Sequence, residues 1–211
     1  AAWEDRSVRR KLVSRLRQGD VEYLHPHMGT LPVWELAMLL HKSSRRPLQV
    51  IAPLPELTRW TNDKVAFTQT VTRLFGDHSV PESESGWNES TLVPKLREIA
   101  EHCKFVGIKL PYFAGGDGNF VFDTSEIRGK SLLKILELVH RRMPATWNND
   151  SPLLIDAWQT DVLCSPSMQT WIPPIADGSP IVEGVFEQAT VGTKGEFVGN
   201  HPAQFPHTLT E

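Results

Sequence analysis

Phe105-Val106-Gly107-Ile108-Lys109-Leu110-Pro111, then Ala114-Gly115-Gly116-Asp117-Gly118-Asn119, then Phe120-Val121-Phe122: these three segments decide how the rest of the chain is read. The first is rich in β-branched and aromatic residues and predicts a strand; the glycines predict a tight turn, and the last segment a returning strand. Lys109 falls near the end of the first strand, just before the glycines. Glycines let a backbone turn sharply and aim its N–H groups at an anion, while a lysine brings a mobile point charge. Two interpretations stand side by side: a cradle for a triphosphate, or an ordinary hairpin with an exposed lysine at its base. The segment is not a P-loop, because Lys109 precedes the glycines and no Gly-Lys-Ser/Thr follows. Nor is it a dinucleotide fingerprint, because the glycines lead into a strand instead of a helix.

Working outward, Leu92, Leu96, Ile99 and Ala100 predict a helix before this unit, and Leu132, Leu133, Ile135, Leu136, Leu138 and Val139 predict one after it, with Ser131 as its cap. After Pro144 the texture becomes strand and turn: 152–158, 168–172, 180–188 and a shorter run at Phe197-Val198, most simply an antiparallel sheet. Upstream, 77–88 is polar and reads as an exposed connection with a short strand near Val80. A helix starts near Asn62-Asp63 and closes at Gly76. The N-terminal part alternates helix (5–16, ended by Gly19), strand (21–24), helix (32–42, with Thr30 as cap and Pro32 in its first turn) and strand (48–52). That is the grammar of a small α/β layer.

Two further residues carry chemistry. Lys64 lies at a helix start, where backbone N–H groups favour an anion, so it is either a surface residue or a second phosphate contact. Asp156 interrupts the apolar run Leu153-Leu154-Ile155-Asp156-Ala157-Trp158, and an unpaired buried carboxylate is costly. It is either an edge-strand acid paired with a local Lys or Arg, or a residue that, with the backbone of Ala157 and Trp158, holds the edge of a purine.

Taken in order, these elements resemble the ATP-grasp superfamily, whose central domain opens with an Asn/Asp-Lys-x-x-Phe helix, matched here by Asp63-Lys64-Val65-Ala66-Phe67. The resemblance implies an α/β (α+β) fold and ATP with Mg2+ as cofactors. It implies that Lys64 and Lys109 are the nucleotide lysines, Lys109 the catalytic one. Gly115, Gly116, Asp117, Gly118 and Asn119 correspond to the phosphate lid, and Ile155, Asp156, Ala157 and Trp158 to the adenine hinge. It implies three regions: 1–60, with His25-Pro26-His27 and Trp34-Glu35-Leu36-Ala37, a partial α/β domain preceding the grasp; 61–144, a lid subdomain; and 145–211, the hinge and the start of the last subdomain. The activity implied is ligation of a small-molecule carboxylate to an amine through an acyl phosphate. A nucleotide-binding or assembly module without catalysis and an ATP-grasp kinase are the alternatives. The hinge acid is Asp where the family often has Glu, and no metal constellation of the family's type can be placed; Glu183 and Glu187 face either the active site or solvent.

Bulk properties bound these expectations. A chain of 211 residues buries a full core. Its 25 acidic and 22 basic side chains are interspersed, a net charge of -3, so no long-range field gathers nucleic acid. No apolar stretch reaches membrane-spanning length, and Cys103 and Cys164 alone make a disulfide framework improbable, so the cytoplasm is expected. The chain begins Ala1-Ala2 and ends at Glu211 after a Pro/His passage, which leads us to expect a processed chain or fragment, completed by a missing C-terminal part or a second copy. One basic cluster, Arg6, Arg9, Arg10, Lys11, Arg15 and Arg17, lies on the first helix as either a solvated face or a phosphate or partner contact.

Overall fold

The computed structural model describes residues 3–113, 116, 118–143, 151–192 and 195–204. The chain divides into two compact units, Ala1–Phe67 and Thr68–Glu211.

In the first unit, α1 (Arg6–Gln18) is capped by the Asp5 side chain, which accepts from the N–H groups of Ser7 and Val8, and it stops at Gly19, whose φ of 82° a side chain would resist. β1 (Tyr23–Leu24) pairs in parallel with β2 (Gln49–Val50), and α2 (Leu31–Ser44) links them. Val13, Leu16 and Leu40 form the buried centre, with Trp3, Leu12, Val21, Leu36 and Leu48 packed around it. Thr30 occupies the cap position of α2, but its hydroxyl makes no capping bond. Where the sequence suggested only a proline-closed strand end, α3 (Pro55–Asn62) forms, with Pro55 in its first turn. α4 (Lys64–Phe75) starts in this unit and continues past the division at Phe67, and Gly76 at φ 90° ends it.

The second unit is built on a sheet of order β3-β6-β4-β5, antiparallel throughout. β4 (Phe105–Lys109) and β5 (Asn119–Asp123) form the expected hairpin, in register Lys109 to Asn119 and Phe105 to Asp123. β6 (Leu153–Ala157) inserts between β4 and β3 (Ser83–Gly86), so it belongs to this sheet and not to the later one. β3 lies in the segment expected to be a connection, a few residues past Val80. α5 (Glu89–Ala100) and α6 (Leu132–Arg142) cover one face of the sheet. Beneath them, Leu92, Leu96, Ile99, Val106, Ile108, Phe122, Ile135, Val139, Leu153 and Ile155 are shut off from water.

Caps and side-chain bonds fix these pieces. Asn88 accepts from the Thr91 N–H, and the Thr91 hydroxyl accepts in return from the Asn88 N–H, a capping box that starts α5. At the other end of α5 the Arg128 guanidinium donates to the carbonyls of Ala100, Glu101 and Cys103. Those of Ala100 and Glu101 belong to the helix end, where carbonyls are left without internal partners, and that of Cys103 lies in the chain leading to β4. Ser131 stands at the cap of α6 without a capping bond.

A second antiparallel sheet, β7-β8-β9, comprises β7 (Pro166–Trp171), β8 (Ile181–Val191) and β9 (Glu196–Pro202). Each pairing carries an irregularity, at Gln169/Thr170 and at Ala189/Thr190.

Candidate functional site

Side chains alternate across a strand, so the strands that bury Val106, Ile108, Leu153 and Ile155 turn Phe105, Gly107, Lys109, Leu154 and Asp156 to the opposite face. Register brings Gly107 opposite Asp156 and Lys109 opposite Leu154. Across the diagonal, Lys109 Nζ donates to Asp156 Oδ2 at 2.5 Å. The same ammonium lies 5.0 Å from the centre of the Trp158 ring, so a carboxylate and an aromatic face together fix the lysine's direction.

Asp156 is 3 % exposed, and its Oδ1 has no hydrogen-bond partner among the described residues. Burial pushes its carboxyl up from the ordinary value, and the Lys109 ammonium pulls it back. Asp156 therefore does pair with a lysine, though from an inner strand and not from an edge.

Sequence reasoning missed Gly107. A Cβ there would meet a Trp158 ring carbon at 2.6 Å and Asp156 Oδ1 at 2.9 Å, so only glycine lets the indole and the carboxylate close over β4. The available signal was a glycine inside an apolar strand, which marks close approach of another group.

Of the glycine-rich turn, Gly115 and Asp117 lie outside the described residues, as does residue 144 at the expected subdomain boundary. Gly116 has φ 93°, in the left-handed region that favours glycine, and its carbonyl accepts from the Asn119 N–H at 2.9 Å. The Gly118 carbonyl accepts from the Leu110 N–H, and a Cβ on Gly118 would stand 2.5 Å from Phe113 Cβ. A Cβ on Gly116 would lie 3.2 Å from Glu196 Cα, which puts the hairpin tip beside the turn entering β9.

The strand assigned to the hinge is fully paired at its end. The Ala157 N–H donates to Glu82 O and the Trp158 N–H to Phe105 O, so both donors serve the sheet. Ile155 points into the core. In the first unit, Lys64 opens α4, and the Asp63 carboxylate accepts from the N–H groups of Val65 and Ala66. A protein carboxylate thus already takes the anion position at this helix start.

Glu183, exposed on β8, accepts from Gln169 Nε2, and Glu187 accepts from the Ser165 N–H. Among the described residues no group of three or more His, Cys, Asp or Glu is arranged to hold a metal ion. No helix among them is long and apolar enough to cross a membrane.

No family model and no curated protein matches this chain. Among solved structures it is similar to D-alanyl-alanine synthetase A from Vibrio cholerae, with a TM-score of 0.50 and 10% sequence identity. The likeness covers 81% of this chain and 46% of that one, so the chain spans about half the length of that structure. At that identity the likeness shows the fold alone. The fold is α+β and similar to that of this synthetase.

Proposed function

We propose that this chain supplies the nucleotide-binding part of an ATP-dependent ligase that joins a small-molecule carboxylate to an amine. The observation that carries the proposal is the direction of Lys109: a lysine pinned by Asp156 and Trp158 at the strand end from which the glycine hairpin departs. An ammonium has three donors, and one of them goes to Asp156. The others are proposed to meet phosphate oxygens held by the glycine-rich segment, Gly115, Gly116, Asp117, Gly118 and Asn119. The fold shared with a synthetase supports ATP as the nucleotide, with magnesium as the companion of its phosphates.

In the proposed reaction a substrate carboxylate oxygen attacks the γ-phosphorus of ATP, the bond to the β-γ bridging oxygen breaks, and ADP leaves. The amine then attacks the acyl carbon, inorganic phosphate departs, and the nitrogen loses a proton. Lys109 offsets negative charge on the transferring group, and the hairpin keeps water from the acyl phosphate. Lys64 is proposed as a second phosphate contact, and the segment around Ile155, Asp156, Ala157 and Trp158 as the purine neighbour. Because the Ala157 and Trp158 N–H groups serve the sheet, the purine is proposed to rest on the Trp158 indole instead of bonding to those donors. The proposed organisation places 1–60 before the grasp, 61–144 as lid and 145–211 as hinge and last subdomain, working in the cytoplasm.

Hydrogen exchange at residues 116–119, followed with a nonhydrolysable ATP analogue and magnesium, tests nucleotide binding. Protection of that turn is expected, and unchanged exchange at saturating nucleotide would overturn the proposal. Phosphate release that requires both a carboxylate and an amine tests ligation. Protection without release would make the chain a nucleotide-binding module.

A further inference from the structure

The first unit carries a basic concavity that the proposed ligase chemistry does not use. Arg9, Arg10, Val13, Ser14 and Arg17 of α1 and Ser43 of α2 line a depression of about 350 Å³. Positions 9 and 10, 13 and 14, and 17 follow one another up a single helix face at i, i+4 spacing. The helix holds six basic side chains and no acidic one, within a chain whose net charge is -3.

Helix stability does not account for this placement. Basic residues favour the C-terminal turn of a helix, where the dipole is negative, and Arg15 and Arg17 satisfy that rule. Arg6, Arg9 and Arg10 stand in the opposite half, where the dipole opposes them and the first turn has no acid. Packing explains only part of the rest. Arg17 donates to the Ser43 carbonyl at 2.8 Å, and Arg9 lies 5.5 Å over the Trp3 ring, contacts that fix where the guanidiniums stand without neutralising them. Among the described residues neither Arg9, Arg10 nor Arg17 pairs with a carboxylate.

Three guanidiniums and two hydroxyls around one depression fit an anion bearing several oxygens, because the planar fork of arginine matches phosphate. The size of the depression suits a compact ligand. We infer that the face of α1 formed by Arg9, Arg10 and Arg17, with Ser14 and Ser43, is a binding site for a small phosphate-bearing anion, built from none of the residues proposed to hold the nucleotide.

The test uses the full chain carrying Lys109→Met, so that the proposed nucleotide site is weakened first. Inorganic pyrophosphate is titrated at constant ionic strength while backbone amide resonances are followed. Saturable shifts confined to α1 and the end of α2 are expected, with affinity reduced at least tenfold by Arg10→Gln and at least fivefold for succinate compared with pyrophosphate. Arg10 makes no hydrogen bond, ion pair or ring contact among the described residues, so the variant is expected to keep the wild-type circular dichroism; should it unfold, Ser14→Ala replaces it, with a threefold loss expected. Shifts that never saturate, affinity unchanged in the variant, or an oligonucleotide binding more tightly than pyrophosphate would each overturn the inference. Failure here leaves protection at residues 116–119 untouched, so the two proposals stand or fall separately.

Discussion

On one face of the four-stranded sheet, Val106, Ile108, Phe122, Leu153 and Ile155 are sealed beneath α5 and α6; on the other, one residue along the same strands, stand Gly107, Lys109, Asn119 and Asp156. The same backbone therefore serves two purposes. The buried face supplies stability, and the opposite face receives a positioned cation because that stability fixes the register. A slip of one residue in β4 would exchange the two sets of side chains. The site needs no scaffold of its own, since its geometry follows from the core behind it.

The largest break in this comparison comes from the buried face. Phe122 is fully enclosed, and Phe122→Ala is expected to cost about 3–5 kcal/mol, as aromatic truncations in cores do. Denaturant unfolding measures it, and a loss below about 1 kcal/mol would mean the core is not close-packed at β5.

On the opposite face, Gly107→Ala forces a methyl group against the Trp158 ring and Asp156 Oδ1. A loss of about 1–3 kcal/mol is expected from overpacking, together with weaker nucleotide binding as the indole moves; titration of the variant with nucleotide checks the second part. Lys109→Met is expected to lower nucleotide affinity at least tenfold, about 1.4 kcal/mol, with the secondary structure retained. Unchanged affinity would remove Lys109 from the site.

The pH dependence of stability sharpens the comparison further. The folded-state value of Asp156 is raised, chiefly by burial, so the native protein holds that proton more tightly than the unfolded chain. The resulting stabilisation is fully present below the ordinary carboxylate range and is lost as pH rises through the raised value. Asp156→Asn should flatten that part of the stability curve. Lys109→Met should extend it upward, because the ammonium that draws the carboxyl down is gone. Urea melts across the acidic range decide between these outcomes. The smallest effect is expected where Lys95, partly exposed, pairs with the exposed Glu84 at 2.8 Å. Lys95→Ala should change stability by less than about 1 kcal/mol.

What the sequence made legible follows from which forces act locally. α5, α6, β4 and β5 announce themselves because their apolar spacing is set by one buried face, and β6 because it is an apolar run buried throughout. β3 does not: Ser83-Glu84-Ser85-Gly86 has no apolar side chain, and it is a strand only because β6 offers it a partner. α3 was concealed by prolines that mark a strand's end and equally a helix's first turn. Lys109 was visible from its place before the glycines, and Asp156 from its oddity in an apolar run. Their union was not visible, because it depends on which strands become neighbours. The commitment of the Ala157 and Trp158 N–H groups was hidden for the same reason, since a backbone donor's partner is a property of the assembled sheet.

The placement of β6 between β3 and β4 also bears on how the chain reaches its native state. Lys109 and Asp156 are 47 residues apart in sequence, so α5 and the β4–β5 hairpin are made well before the strand that completes the sheet. Until then β3 and β4 present open edges able to pair with other molecules. Closure of a long loop limits such non-local pairing, so the last strand of this sheet to be made is the one whose arrival ends the period in which those edges are exposed to aggregation.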